Sequence, residues 1–186
     1  MAIDRDEVVR AAVRILDDYG LADLSMRRLA DSLGVKAGAL YWHVANKQSL
    51  LAAVADQVTG ELPDPVGPPR AALVDWASGL RAVLLAHRDS AELVATALAS
   101  GLCERNPLEG VESVFGGLLP QPRASWAAAA LMHQVLGHVA HEQNVRLFRE
   151  LGHVEGVEQD AGDEAFVFAV TALVDGLLAG AGNSEE

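Results

Sequence analysis

The sequence predicts an all-α protein: a small three-helix head followed by a larger helical domain. Three observations lead there. Apolar residues recur at three- and four-residue spacing through most of the 186 residues. No stretch sustains the period-two alternation of a half-buried strand. Finally, PDPVGPP, residues 63–69, cannot continue a helix and separates two periodic regions. The expected division is a head of residues 1–62, a Pro-rich semi-rigid hinge over 63–69 and a helical domain over 70–186.

The first helix is expected over residues 4–19, with Val8, Ala12, Ile15 and Tyr19 on its inner face and Gly20 ending it. Ser25 is placed to cap a second helix, with Leu24 before it as an apolar staple. Leu29, Ala30 and Leu33 then point inward, and Gly34 is the stop, since a residue of positive φ is cheapest as glycine. Val35 plugs the corner, and Lys36 opens a short third helix expected to reach about Val44. Two short helices about a tight turn make a helix-turn-helix, whose second helix is sized for the DNA major groove. Trp42 is expected in the core against the first and fourth helices. The fourth helix should start after Asn46, a good N-cap, and turn Leu50, Leu51, Val54 and Val58 inward.

Beyond the hinge, helices are expected over about 70–87, 90–102, 107–118, 122–151 and 163–180. A glycine- and acid-rich loop, GHVEGVEQDAGDE, should lie between the last two. Both of those helices are apolar around much of their circumference and rich in alanine and glycine. A helix apolar on more than one face must bury more than one face. A second subunit is the simplest cover, which predicts a twofold homodimer joined through an intersubunit four-helix bundle. Dimerisation would also space two reading helices about 34–36 Å apart, one turn of DNA.

Composition limits the function classes. No apolar run is long enough to span a bilayer, and the amphipathic N-terminus is unlike a signal peptide. The single cysteine, Cys103, reads as a small buried hydrophobe in a cytoplasmic protein. The net charge of −12 is ill suited to DNA, yet it is unevenly spread. From Ser25 to Gln48, Arg27, Arg28, Lys36 and Lys47 face one acid, Asp31. Local potential governs phosphate binding, while the acidic remainder should keep non-specific affinity modest.

The segment LYWHVANKQSLL, Leu40 to Leu51, closes the reading helix with an aromatic pair and opens the next with Asn-Lys. With it, the first 60 or so residues resemble the DNA-binding domain of TetR-family transcriptional regulators. LLAHRD (84–89) and AFVFAVTALVDGL (165–177) resemble segments of the tetracycline-repressor type of C-terminal domain. The resemblance implies a homodimeric repressor that leaves a palindromic operator when a small molecule binds its C-terminal domain.

Arg27 is expected to make the main base contact, since its fork matches guanine O6 and N7. Lys36, Tyr41, His43 and Lys47 should clamp the phosphate backbone, with Ser25 beside them. Ala37, Gly38 and Ala39 form a plain first turn that lets the backbone approach the duplex, so DNA shape should share in recognition. Arg28 points about 100° from Arg27 and suits a phosphate or surface role. Candidate lining residues of the effector pocket are Trp76, Leu80, His133, Gln134 and His138.

His138, His141 and Glu142, at i, i+3 and i+4, have a spacing compatible with a metal. They leave open a small metal-dependent enzyme, though one without a third spaced ligand, a nucleophile–base pair or a phosphate loop. An effector-independent DNA-binding dimer is the other alternative. Tetracycline-type repressors hold a drug–magnesium chelate through histidine. Here Ser90-Ala91-Glu92-Leu93-Val94 and Gly60-Glu61-Leu62-Pro63 bring no histidine to the matching places. No cofactor or resident metal is expected.

Overall fold

Three helix starts near the N-terminus are set by side-chain acceptors that satisfy orphan backbone amides. In the computed structural model, which describes residues 3–152 and 161–182, α1 (Arg5–Tyr19) begins at Asp4, whose Oδ1 accepts from the Glu7 N–H at 2.7 Å. α2 (Met26–Leu33) begins at Ser25, whose Oγ accepts from Arg28 N–H at 3.2 Å. α4 (Lys47–Thr59) begins at Asn46, whose Oδ1 accepts from Ser49 N–H at 2.9 Å. Each cap stabilises by about 1 kcal/mol. Between α2 and α4 lies α3 (Ala37–Leu40), and a 3-10 turn over Leu21–Asp23 links α1 to α2.

The remaining helices are α5 (Pro69–Leu85), α6 (Ser90–Ser100), α7 (Leu108–Gly116), α8 (Arg123–Glu150) and α9 (Ala161–Gly182). The described residues contain no strand. No helix among them is long and apolar enough to cross a membrane. Most of the expected loop over 152–164 lies outside the described residues, and its end from Ala161 onward is the first turn of α9.

The chain divides into two compact units whose boundaries are not a single cut. One joins Met1–Glu61 to Val83–Asn106; the other joins Leu62–Ala82 to Pro107–Glu186. A cut at the prolines alone separates α6 from the head, yet α6 packs on α4. Its Leu93, Val94 and Ala97 are buried with Leu50, Leu51, Val54 and Val58 of α4. Burying a leucine or valine contributes about 1.5–3 kcal/mol, so this seam holds α6 firmly to the head.

In the head, α4 also packs on α1, and α2 packs on both α1 and α3. Val8, Ala12, Ile15, Leu16, Leu24, Leu29, Leu40 and Val44 fill the space between them. Tyr19, expected in that core, is instead 53% exposed. The Arg28 guanidinium lies over its ring at 4.5 Å, an arrangement that keeps the cation wet and covers one face of the ring. In the other unit, α8 packs on α7 and α9 around Val111, Phe115, Leu131, Val135, Val139, Phe166 and Val170.

Candidate nucleic-acid interface

The turn between α2 and α3 is built on Gly34, which sits at φ 65°, ψ 28°. Its N–H and that of Val35 return to the end of α2, Val35 N–H reaching the Ala30 carbonyl at 3.0 Å. The left-handed residue satisfies carbonyls that the helix end would leave open. Leu40 and Val44 then anchor the far side of α3, both buried. The helix ends at Leu40, short of the Val44 expected from sequence, and residues 41–43 form a turn.

That early end re-aims the aromatic pair. Trp42, expected in the core, is 89% exposed, and Tyr41 beside it is 54% exposed. Helical periodicity no longer applies once the chain leaves α3. The signal was present in the sequence: Leu40 and Val44 already supply the inward anchors, leaving Tyr41, Trp42 and His43 to face out. Trp42 is the surface residue that sequence reasoning missed.

The other candidates divide by exposure. Arg27, Lys36, Ala37, Gly38, Tyr41 and Lys47 are exposed, while Ser25, Ala39 and His43 are partly covered. Among the described residues Arg27, Lys36 and Lys47 have no carboxylate partner, whereas Arg28 is held by Asp23 at 2.6 Å. Arg28 is thereby drawn toward Asp23 and Tyr19. Ser25 Oγ is occupied as the α2 cap, so only its hydroxyl proton is available to an outside acceptor. Lys47 lies in the first turn of α4, where amide donors add to its charge. A Cβ at Gly38 would meet nothing within 4 Å, so this glycine leaves an open surface in mid-helix. The result is a face with three uncompensated cations, two exposed aromatic rings and a glycine that admits close approach.

Residues 8–54, from α1 into α4, match the model of bacterial regulatory proteins of the tetR family. Over 152 residues the chain is 32% identical to the tetracycline repressor protein class G of Vibrio anguillarum, covering 76% of this chain and 70% of that protein. The chain belongs to the TetR family. It is also 37% identical over 157 residues to an HTH-type transcriptional regulator of Saccharopolyspora erythraea. That match spans 81% of this chain but 65% of the relative, just under two thirds of its length.

Among solved TetR-family structures, BioQ of Mycobacterium smegmatis superposes with a TM-score of 0.87 at 37% identity, over 95% of this chain and 98% of that one. BioQ with its double-stranded DNA operator gives 0.81 at 36% identity, over 95% and 99%. A variant of TetR from Acinetobacter baumannii in complex with minocycline gives 0.79 at 31%, over 96% and 98%.

The five candidate effector residues are not gathered alike. Trp76 and Leu80 of α5 are buried, Gln134 and His138 of α8 are partly covered, and His133 is exposed. His138 packs edge-on to Phe166 with ring centroids 5.0 Å apart. Its Nε2 is buried without a hydrogen-bond partner and lies 3.6 Å from Glu142 Oε1. Glu142 itself is committed to Arg81, receiving both Nε (3.0 Å) and Nη2 (2.7 Å). Arg81 also reaches Asp163 of α9 at 2.7 Å and lies 5.0 Å over the Phe166 ring. His141 is exposed, so the i, i+3, i+4 trio does not converge. Among the described residues no group of three or more His, Cys, Asp or Glu is placed to hold a metal.

Proposed function

We propose that this chain is a homodimeric, ligand-responsive transcriptional repressor that acts in the cytoplasm and leaves a palindromic operator when an effector binds. The observation that carries the reading is the α2–turn–α3 face. In a chain with 26 acids and 14 Lys/Arg, Arg27, Lys36 and Lys47 stand there without acidic partners. Arg27 reads a base edge. Lys36, Tyr41, His43 and Lys47 hold phosphates, with Ser25 donating its hydroxyl, and Ala37, Gly38 and Ala39 lie against the groove. BioQ bound to its operator supports the DNA half, and the minocycline complex of TetR supports the effector half.

The dimer is supported by what α9 leaves uncovered. Phe168 is 77% exposed and Val167 48%, and with Thr171 and Ala172 they line a surface groove of about 660 Å³ that Asp163, Glu164 and Asp175 also border. An apolar row of this kind fits a second subunit. The effector site is proposed around Trp76, Leu80, Gln134 and His138, where the unsatisfied Nε2 is a hydrogen-bonding handle beside apolar walls. His133, being exposed, is left out of it. Residues 1–62, 63–69 and 70–186 remain our division into reading head, hinge and effector domain, with α6 packed on the head.

The test is selection of genomic fragments by the purified protein, then footprinting of those retained. A protected near-palindrome is the expected result. Arg27→Ala should lose about 1–3 kcal/mol of sequence discrimination. Lys47→Ala should weaken all sequences alike and lower the salt slope by about one unit. Failure to enrich any fragment at moderate salt, with or without candidate effectors, would overturn the reading.

A further inference from the structure

Away from the DNA-facing end of the head, a second surface feature is built from three helices. Arg10, Val13 and Arg14 of α1 meet Gln57, Val58 and Glu61 at the end of α4, and Val83, Ala86 and His87 at the end of α5. Together they enclose a groove of about 430 Å³, within the size range of small-molecule sites. All nine residues belong to the same compact unit. Gln57 lies about 15 Å along α4 from Lys47, so the groove is at the opposite end of that helix from the DNA-facing cations.

Two cations one helical turn apart stand over its apolar floor. Arg5, Arg28, Arg70, Arg81 and Arg146 each hold a carboxylate at 2.6–3.4 Å. Arg10 and Arg14 have no such partner among the described residues, although both are exposed. Four positions apart on α1, they project to the same side of the helix. Beneath them the floor is apolar, made by Val13, Val58, Val83 and Ala86, with Val58 only 5% exposed. His87 is already engaged by Asp17 at 3.0 Å, and Glu61 supplies one negative charge to the rim.

We infer that this groove is a binding site for an amphiphilic monocarboxylate, its head between the Arg10 and Arg14 guanidinium groups and its aliphatic body on the valine floor. Two arginine forks match a carboxylate, and charge-assisted hydrogen bonds of this type are the strong ones. Among the lining side chains Arg10, Arg14 and Glu61 leave about one positive charge, and Asp17 behind His87 lowers the local potential further, which suits a monoanion and opposes a dianion. The site is separate from the effector pocket of the helical domain. Its occupant would tie α1, the end of α4 and the end of α5 together within one compact unit.

The experiment is calorimetric titration of the full chain with octanoate, 1-octanol and octyl phosphate, all below their aggregation limits. Octanoate should bind, octanol at least about tenfold more weakly, and octyl phosphate no more tightly than octanoate. The double variant Arg10→Gln, Arg14→Gln should lower octanoate affinity about tenfold with an unchanged melting curve, since both side chains are exposed. Ala86→Trp, which fills the groove from an exposed position, should do the same without touching a charge. The inference is overturned if octanoate does not bind, if octanol matches it, if octyl phosphate exceeds it, or if either variant binds octanoate as the parent does.

Discussion

Two glycines four residues apart test the helix-turn-helix with opposite signs. Gly34 ends α2 in the left-handed region, and a Cβ built there would meet nothing within 4 Å. The cost of Gly34→Ala is therefore conformational alone, about 1–2 kcal/mol for holding an L-residue at that φ. Gly38 lies within α3 with a negative φ, and a Cβ there also meets open space. Gly38→Ala should gain up to about 1 kcal/mol by restricting the unfolded chain and favouring the helix. For a chain this long, 1 kcal/mol moves Tm by roughly 2–4 °C. Gly34→Ala should thus melt roughly 2–8 °C below the parent and Gly38→Ala slightly above it, read by circular dichroism. Operator affinity should divide the other way. Gly34→Ala keeps it well below its Tm, whereas Gly38→Ala changes it by adding a methyl group to the surface proposed to face DNA. A Gly34→Ala protein as stable as the parent, or a Gly38→Ala protein less stable, would refute the placement of the turn.

Trp42→Phe should remove the most solvent-quenched component of tryptophan fluorescence and change stability by no more than about 0.5 kcal/mol, as for an exposed side chain. A loss above about 2 kcal/mol in urea denaturation would return Trp42 to the core. Glu142→Gln should cost about 1–3 kcal/mol, because Arg81 loses its charged, two-point acceptor. Asp163→Asn, at an acid whose side chain is 86% exposed, should cost less than about 1 kcal/mol; equal losses would refute that ranking. Burial, then the nearby Asp56, pushes the Cys103 thiol above its ordinary value. A raised thiol pKa leaves less thiolate at neutral pH, so alkylation should be slow there and its midpoint should lie above the usual thiol range. A midpoint at or below that range would refute it.

The local grammar of the head was legible because each signal is short in range. Ser25 and Asn46 cap the helices they precede, and Gly34 turns the chain where positive φ is needed. Trp42 was misplaced because a helix of a single turn ends before periodicity has meaning. The assignment of α6 was hidden for a different reason. Its apolar residues announce a helix with a buried face, but nothing in their spacing says that the face belongs to α4, some 40 positions earlier. The Arg81–Glu142–Asp163 cluster, with partners 61 and 82 residues away in sequence, lies beyond any local pattern for the same reason.

Gly20 carries a consequence for how this lineage can change. Its φ of 84° disfavours every L-residue, and a Cβ there would come within 2.5 Å of Asp89 Oδ2. That same oxygen accepts the Leu21 N–H at 2.8 Å, and Asp89 is itself left-handed at φ 52°. A side chain at position 20 therefore meets both a strained backbone and an occupied volume, and losing Asp89 relieves only the second. The order of substitution then matters: change at 89 opens a narrow path at 20, while change at 20 first is blocked twice over. Among descendants of this sequence, the two positions should be inherited as a linked pair, with the aspartate the earlier to be lost.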